Sequence, residues 1–449
     1  SRALHGNGPI NEDWFVVGGG DGFVCRVDPT DPDLVYAEMQ DGNIYRRNLR
    51  TGEGGGNRPQ QPPTSPAYRF NWNTPFILSS HNSSIFYSGG NYVFRSLKKG
   101  ADPKPISPEI TRTKRGSATA VAESPRNPDV LWAGTDDGNL WVTRDGGREW
   151  QNVADKVGLP GPRWVASIEP SRGADGRAYV VFDAHRSDDD NPYVYMTEDF
   201  GQTWKSLRAN LPTGSTRVLR EDVSNTSLLY LGTEFAIYAS TNRGASWTRL
   251  NNNLPTVAVH EIAVHPTAGE IVIATHGRSL WVLDVTALRQ MTDEALKAKA
   301  RLYRPNVVVQ WKPEPQRGSA YGVGSRKFVG ENPAPGAQVY YSLTKKAEKI
   351  SLKVLDYAGN TVVAFPDVKA EPGLHRVGWN LARGGGRVAA GTYRVLLLVD
   401  GEDQGQPLRV EDDPNVPGPL IAAEEDNEEE EEKEMKREQE ARPAKKGDY

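Results

Sequence analysis

The sequence predicts an all-β fold, and three observations support this prediction. Turn-forming residues are abundant, with 45 glycines and 32 prolines in 449 residues. Aromatic residues that favour strands are also common, with 11 tryptophans and 17 tyrosines. Short apolar runs alternate with polar turns along most of the chain. Many short strands joined by tight turns explain this pattern, whereas a helical bundle does not.

One eight-residue motif occurs three times, and it predicts a hairpin turn at each copy. The copies begin at Thr143, Thr197 and Ser240 and read Ser/Thr-x-Asp/Asn-x-Gly-x-x-Trp. The Asp or Asn side chain can accept hydrogen bonds from nearby backbone N–H groups, glycine can adopt a positive φ, and tryptophan can pack between sheets. We therefore expect these residues to be structural: Asp145, Gly147, Trp150, Asp199, Gly201, Trp204, Asn242, Gly244 and Trp247.

Each motif follows a pair of apolar strands, and the same strand pair recurs elsewhere. Residues 130–135 with 139–143 form one pair, and residues 228–232 with 236–239 form another. Degenerate copies bring the expected number of units to six within residues 1–285. Four-stranded units repeated every 40 to 50 residues or so are typical of β-propeller blades. A solenoid is the alternative, but β-helix repeats are much shorter.

A propeller must close its ring or leave a sheet exposed. The chain begins at Ser1 rather than methionine, and only a short segment precedes the first unit. We therefore expect an upstream segment to complete the ring, either within the same gene product or as a separate chain.

These residues resemble the C-terminal half of large bacterial BNR-repeat (Asp-box) proteins, often labelled sortilin-like or glycosyl-hydrolase-like. The resemblance rests on the three motifs and on residues 18–23, 28–32, 123–128 and 275–278, and it covers nearly all of residues 1–410. It implies an exported protein, secreted, periplasmic or on the cell surface, with more propeller upstream and an immunoglobulin-like domain downstream. Asp boxes occur in enzymes and in non-enzymatic propellers alike, so the resemblance predicts fold rather than chemistry.

The remainder of the chain predicts a second β domain and a tail. Residues 286–324 are expected to form a linker with a short helix and a strand, at 302–311, that closes against the last blade. Residues 325–412 predict an immunoglobulin- or fibronectin-like sandwich with strands at 338–342, 349–355, 373–379 and 391–399. Residues 413–449 form a charged tail with prolines and many acids, for which disorder is the default and a partner-stabilised helix the alternative.

Composition argues against a nucleic-acid partner, a disulfide framework and a membrane span. The formal net charge of −4 argues against nucleic-acid binding. The single cysteine, Cys25, excludes an intramolecular disulfide framework. No apolar run approaches the roughly 18 residues of a membrane span, so none is predicted.

The candidate binding residues belong to one predicted face of the propeller, which we call the mouth. The turns between the second and third strands of the blades meet there with the starts of the innermost strands. Its candidates have polar or aromatic side chains: Asp21, Trp164, His185, Arg186, Arg217, His260, His276 and Arg278. No catalytic residue is assigned, but Asp136 and Glu234 are the candidates for a carboxylate pair. Trp164 would then stack on a sugar, and Arg186 or Arg278 would contact an anionic group.

A structural interpretation of the same residues is the alternative, and we favour it. In that case they are solvated turn residues and ion pairs of the channel. No cofactor and no metal site is predicted. Residues 188–190, three consecutive aspartates, could bind Ca²⁺ through oxygen ligands, although a solvated turn explains them too. His260 and His276 lack a third ligand at a suitable spacing.

Two functions therefore remain open at the level of the sequence. The first is an extracytoplasmic scaffold that binds a protein partner or a glycan and belongs to a larger protein or assembly. The alternative is a glycoside hydrolase that acts on polysaccharide at the mouth. Sialidase activity is disfavoured, because the required arginine trio and Tyr/Glu pair cannot be assigned. An enzyme would need two carboxylates about 5 to 10 Å apart across an open cleft.

Overall fold

A computed structural model describes residues 3, 8–63, 66–250, 252–315 and 328–415. Strands predominate, and the two α-helices are short: α1 is Thr286–Arg289 and α2 is Asp293–Lys297. Four 3-10 turns are also described, at Asn11–Asp13, Gln40–Gly42, Ala154–Lys156 and His185–Ser187. No described helix is long and apolar enough to cross a membrane. Most of the predicted charged tail, residues 416–449, lies outside the described residues.

Six antiparallel sheets follow one another along the chain, and we number them blades 1 to 6. Within the described residues, blades 1 to 5 have four strands each and blade 6 has three. The first three blades contain β1 Cys25–Asp28, β2 Asp31–Glu38, β3 Ile44–Asn48 and β4 Gly54–Gly56; β5 Phe76–Leu78, β6 Phe86–Gly89, β7 Val93–Ser96 and β8 Lys104–Pro105; β9 Ala118–Glu123, β10 Leu131–Thr135, β11 Leu140–Thr143 and β12 Gln151–Asn152.

The next three blades repeat this plan, with each strand paired to the next in sequence. They contain β13 Trp164–Pro170, β14 Ala178–Asp183, β15 Tyr193–Thr197 and β16 Lys205–Ser206; β17 Thr216–Glu221, β18 Leu229–Thr233, β19 Ile237–Ser240 and β20 Thr248–Arg249; β21 Val259–Val264, β22 Glu270–Thr275 and β23 Leu280–Asp284.

The first strands of all six blades surround one channel of about 470 Å³. Each contributes a side chain to the wall, from β1 to β21: Arg26, Leu78, Val121, Ile168, Arg220 and Ile262. Radial packing of sheets around an axis is the arrangement that defines a β-propeller. The structure thus confirms the predicted propeller and rules out the solenoid alternative.

Apolar side chains fill the space between consecutive blades. We call the face towards the next blade in sequence the forward face, and the opposite one the backward face. Between blades 5 and 6, the forward residues Val218, Tyr230 and Ile237 are buried against Ile262 and Ile273 of blade 6. The second strands of blades 2 to 5 are buried on both faces, and this explains why they appear as continuous apolar runs rather than alternating ones.

The three motif turns have the conformation that their sequence predicts. The Asp145 carboxylate accepts hydrogen bonds from the backbone N–H groups of Arg148 and Glu149, each at 3.0 Å. Gly147 has φ = 96°, and the equivalent glycines of the other two copies also have positive φ. The Trp150 indole N–H donates to the carbonyl of Ile106, in the segment that leads from blade 2 to blade 3, at 2.8 Å. The motif therefore fixes both the turn and the contact with the preceding blade.

Two sheets of three and five strands follow blade 6 and pack into a sandwich around a separate core, and a two-stranded hairpin forms a third, small sheet in the same region. Trp379 and Tyr341 are among its most buried residues. The strands are β24 Ala300–Leu302, β25 Val308–Gln310, β26 Ala337–Leu343, β27 Ile350–Leu355, β28 Thr361–Phe365, β29 Gly373–Trp379, β30 Ala382–Arg383, β31 Gly386–Arg387, β32 Gly391–Val399 and β33 Glu402–Asp412.

One expectation about the linker is wrong. The stretch 302–311 does not close against blade 6. Instead, β24 pairs with β26 and β25 pairs in parallel with β33, so both strands belong to the sandwich. The edges of β26 and β33 hydrogen-bond to these two strands, which then lie over the apolar core of the sandwich. Blade 6 is left with three strands in the described part of the chain.

Candidate functional site

An ion-pair network occupies the mouth between blades 4 and 5. Arg217, near the start of β17, donates to the Asp183 carboxylate at 2.7 Å and to Glu234 through its Nε at 3.0 Å. Asp183 ends β14, whereas Glu234 lies in the turn after β18. The Asp183 side chain also accepts from the Ser215 hydroxyl at 2.7 Å. The arginine thereby holds two carboxylates from different blades in one geometry.

Two predicted histidines contact each other beside this network. His276 Nδ1 lies 3.2 Å from His260 Nε2, and both side chains are exposed. Partial desolvation lowers the pKa of His260, and the neighbouring Arg217 and His276 lower it further. His260 therefore stays neutral to lower pH than an isolated histidine does.

Blade 4 contributes a second group of predicted residues. The Arg186 guanidinium lies 4.3 Å from the centre of the Trp164 ring, so a cation–π contact covers one face of that ring. His185 Nδ1 is 3.7 Å from the Asp190 carboxylate. The site that the sequence suggested for sugar stacking on Trp164 is thus already occupied on one face by Arg186.

The two candidate catalytic carboxylates both have structural partners. Asp136, in the turn after β10, accepts from the Ser117 backbone N–H and hydroxyl, each at 2.9 Å, and from the Asn71 amide at 3.3 Å. Glu234 is bound by Arg217. Asp136 belongs to blade 3 and Glu234 to blade 5, with blade 4 between them. These contacts join neighbouring chain segments, which matches the structural interpretation better than the catalytic one.

The remaining two mouth candidates are exposed. Asp21 lies in the segment before β1, and Arg278 lies in the turn between β22 and β23. The backbone carbonyl of Arg278 accepts from the Trp281 indole at 2.9 Å, which shapes that turn. Neither side chain joins the Arg217 network.

Two exposed aromatic residues at the mouth were not anticipated from the sequence. Trp72 is 55% exposed and Phe235 is 49% exposed. The Trp72 carbonyl accepts from the backbone N–H of Asp41 in the mouth turn of blade 1, and Phe235 directly follows Glu234. Their positions before β5 and after β18 are the same ones that predicted the other candidates. If aromatic residues at these topological positions had been considered together with the polar ones, Trp72 and Phe235 would both have been identified.

Potential metal ligands in the described part of the chain do not form a cluster. Among the described residues, no three His, Cys, Asp or Glu side chains are arranged to hold an ion. In the acidic run 188–190, Asp189 accepts from Arg163 and from the Tyr193 hydroxyl, each at 2.8 Å. Although burial opposes the shift, these hydrogen bonds lower the pKa of Asp189. The middle aspartate of the run thus has a structural role.

Comparison with known proteins gives one curated relative. No protein-family model matches the chain. An oligoxyloglucan-reducing end-specific xyloglucanase of Emericella nidulans is 26% identical over 214 residues. The match covers 43% of this chain and spans a quarter (25%) of the length of the xyloglucanase.

The solved structures that align with the chain are distant from it in sequence. A GH74 enzyme of Niastella koreensis aligns with a TM-score of 0.47 and 12% identity, over 86% of this chain and 65% of that one. A GH74 xyloglucanase of Xanthomonas campestris gives 0.44 and 18%, over 57% and 44%. The extracellular domain of a hybrid two-component system of B. thetaiotaomicron gives 0.44 and 13%, over 91% and 58%. By its own strand topology, this protein is a β-propeller followed by a β-sandwich.

Proposed function

We propose that this chain is an extracytoplasmic propeller module whose mouth binds a glycan. The observation that supports it best is the combination of two exposed aromatic rings, Trp72 and Phe235, with a charged network whose carboxylates already have partners. Aromatic faces stack on sugar rings, and fixed charged groups beside them provide orientation. A protein ligand at the same face is the second form of the binding hypothesis.

We further propose that the chain belongs to the BNR/Asp-box class and works as a scaffold in a larger protein or assembly. Its partner in that assembly is an upstream propeller half. The three motif turns and the sortilin-like resemblance of the sequence support the class. In this proposal the sandwich after blade 6 is an immunoglobulin-like accessory domain that provides packing or attachment.

The alternative function is glycoside hydrolysis, and one observation favours it. The curated relative at 26% identity is named as a xyloglucanase. Against hydrolysis, Asp136 is held by Ser117 and Asn71, and Glu234 is held by Arg217. A general acid with a raised pKa and a second free carboxylate are what the reaction requires.

The direct test is calorimetric titration of the protein with a panel of plant and bacterial oligosaccharides. We expect at least one of them to bind. We expect Trp72→Ala and Phe235→Ala each to weaken that binding about tenfold, since each removes one stacking contact. Tyr357→Ala, at a sandwich residue that is 97% exposed, is the matched control and should have no effect. If no glycan binds, or if binding is indifferent to both mouth variants, the glycan proposal fails.

Hydrolysis is tested on the same panel by reducing-sugar release. The binding proposal expects no release from the wild-type protein. Release that disappears in both Asp136→Asn and Glu234→Gln would instead establish the enzyme, with those two carboxylates in the catalytic pair.

A further inference from the structure

The forward face of blade 6 carries apolar side chains that no described segment of the chain covers. They are Ala263 on β21, Val272 and Ala274 on β22, and Leu280 and Val282 on β23, and the strand register places Glu261, Glu270 and Asp284 on the same face. Leu280 is 54% exposed and Val282 is 51% exposed, and Ala263 is exposed too. A contiguous apolar surface of this kind usually marks an interaction site.

The corresponding face of blade 5 shows what such a surface does in this fold. The second and third strands of blades 5 and 6 pair in the same way. Ile237 therefore occupies in blade 5 the position that Leu280 occupies in blade 6, and Ala239 occupies the position of Val282. Ile237 is fully buried and Ala239 is 4% exposed, because blade 6 packs on them. The forward face of blade 6 therefore has the apolar residue types of a blade–blade interface, but no blade in the described part of the chain packs on it.

Blade 1 presents a second wall, which is exposed along its first strand, β1. Its forward residues, Leu34 and Tyr36, pack on blade 2, so the alternating residues of β2 face backwards. Cys25 and Val27 pair with these backward residues in register. Cys25 is exposed and Val27 is 53% exposed, whereas Val35 and Ala37 are buried. β1 and β21 both line the channel, so the two partly exposed walls belong to the first and last blades of the described ring.

We propose that blades 6 and 1 form the two walls of a docking site for one additional propeller blade, carried by the upstream propeller partner. This inference rests on the proposed scaffold role. The occupant is an antiparallel sheet with two mainly apolar faces, since the exposed residues Leu280, Val282 and Val27 are apolar and apolar cores join blades 3 to 6 in the described ring. Docking would bury Leu280 and Val282 on one side and Cys25 and Val27 on the other.

The only cysteine of the sequence is a built-in reporter for this site. We expect Cys25 to react with a maleimide dye in the isolated 449-residue chain and to be protected about tenfold in protein purified from its native source, where the partner covers the wall. Leu280→Lys with Val282→Lys, introduced in the native source, should restore labelling. Leu374→Lys with Leu398→Lys, at exposed sandwich positions, is the matched control and should not. Equal labelling of the native and isolated proteins would overturn the proposal.

A second measurement uses a defined occupant. A copy of residues 252–285 placed ahead of Ser1 supplies one more sheet, whose backward face already fits a forward face of this ring. We expect it to raise the melting temperature and to protect Cys25, and we expect the Lys pair on the original blade 6 to abolish both effects. If the added blade changes neither, the walls do not form a blade site.

Two other outcomes separate this inference from its alternatives. If protection of Cys25 accompanies a dimer of this chain with no other polypeptide, the face is a self-association surface and the proposal is wrong. Glycan binding at the mouth is measured independently, because the Lys pair lies on the blade face and leaves Trp72 and Phe235 unchanged. If Cys25 is protected but no glycan binds, the glycan proposal fails. If a glycan binds but Cys25 is not protected, the docking-site proposal fails.

Discussion

At the level of single residues, the most unusual group is the buried carboxyl of Glu38 at the end of β2. It is 2% exposed, and one of its oxygens has no hydrogen-bond partner among the described residues. The backbone N–H of Thr74 donates to the other oxygen at 3.3 Å. Burial raises the pKa of Glu38 to about 7, and the nearby Asp41 adds to the increase. Near neutral pH this carboxyl is therefore partly protonated.

Glu38 predicts a pH-dependent effect on stability. The pKa is higher in the folded state than its ordinary value of 4.5, so the folded state binds the proton more tightly. The resulting stabilisation is complete below about pH 4.5 and is lost as the pH rises through about 7. We expect Glu38→Gln to gain stability relative to the wild type over this window, measured by urea unfolding. The comparison at pH 4.5 is the internal control, and a difference that does not change with pH would contradict the assignment.

The candidate site shows which residue-level properties the sequence can predict. The topological positions of Arg217, His260 and His276 followed from the repeat, and the structure brings these three residues together. Their partners did not follow from it. The contact between Arg217 and Asp183 joins residues 34 positions apart, and its geometry depends on the angle between two blades. The distance between the carboxylates of Asp136 and Glu234 would decide between a catalytic and a structural role, and it depends on how the blades pack in the ring.

At the level of elements, the turns between third and fourth strands show two reasons why a glycine is required there: its positive φ and the space around its Cα. Gly201 has φ = 84°, and a Cβ placed there would lie 2.9 Å from Val153. Gly52, in the same turn of blade 1, has φ = 76° and nothing within 4 Å of such a Cβ. Gly52→Ala should therefore destabilise the folded state through backbone strain alone, whereas Gly201→Ala should destabilise it through backbone strain and through overpacking against Val153.

We expect Gly52→Ala to cost about 1–2 kcal/mol of unfolding free energy and Gly201→Ala about 1–3 kcal/mol more. Urea unfolding of the two variants and the wild type measures both values. Equal costs would mean that Val153 moves aside freely and that the glycine is required for its backbone conformation alone.

The elements that the sequence predicted best were those with strong apolar repeats. The sandwich strands expected at 338–342 and 373–379 appear as Ala337–Leu343 and Gly373–Trp379. The strand expected to close blade 6 joined the sandwich instead, because periodicity identifies a strand but not the edge on which it pairs. The domain boundaries proposed from the sequence stay predictions in their finer detail.

For the whole molecule, a buried ion pair fastens the start of the linker to the propeller. Arg289, the last residue of α1, lies 2.8 Å from Asp222 of blade 5, and the side chains are 10% and 0% exposed. The Tyr230 hydroxyl also donates to Asp222, at 3.1 Å. The pair therefore connects the segment after blade 6 to the blade before it.

We expect Arg289→Met to destabilise the protein by about 3–5 kcal/mol, because it leaves a buried carboxylate without its cation. Thermal and urea unfolding measure the loss. Lys346→Met removes a pair with Glu371 in which both side chains are more than 60% exposed, and it should cost at most about 1 kcal/mol. Similar losses for the two variants would mean that the Asp222 site is open to water.

The sequence by itself determined the repeated unit, its turns and the side chains of its core, since these depend on neighbours a few residues apart. Only the tertiary structure decided that Asp136 and Glu234 are held by other residues, that the linker strands enter the sandwich, and that no described segment covers the apolar side chains of Leu280 and Val282 on blade 6. These features depend on contacts between blades. A local pattern can specify that a sheet has two apolar faces, but whether each face is covered depends on what the rest of the ring places beside it.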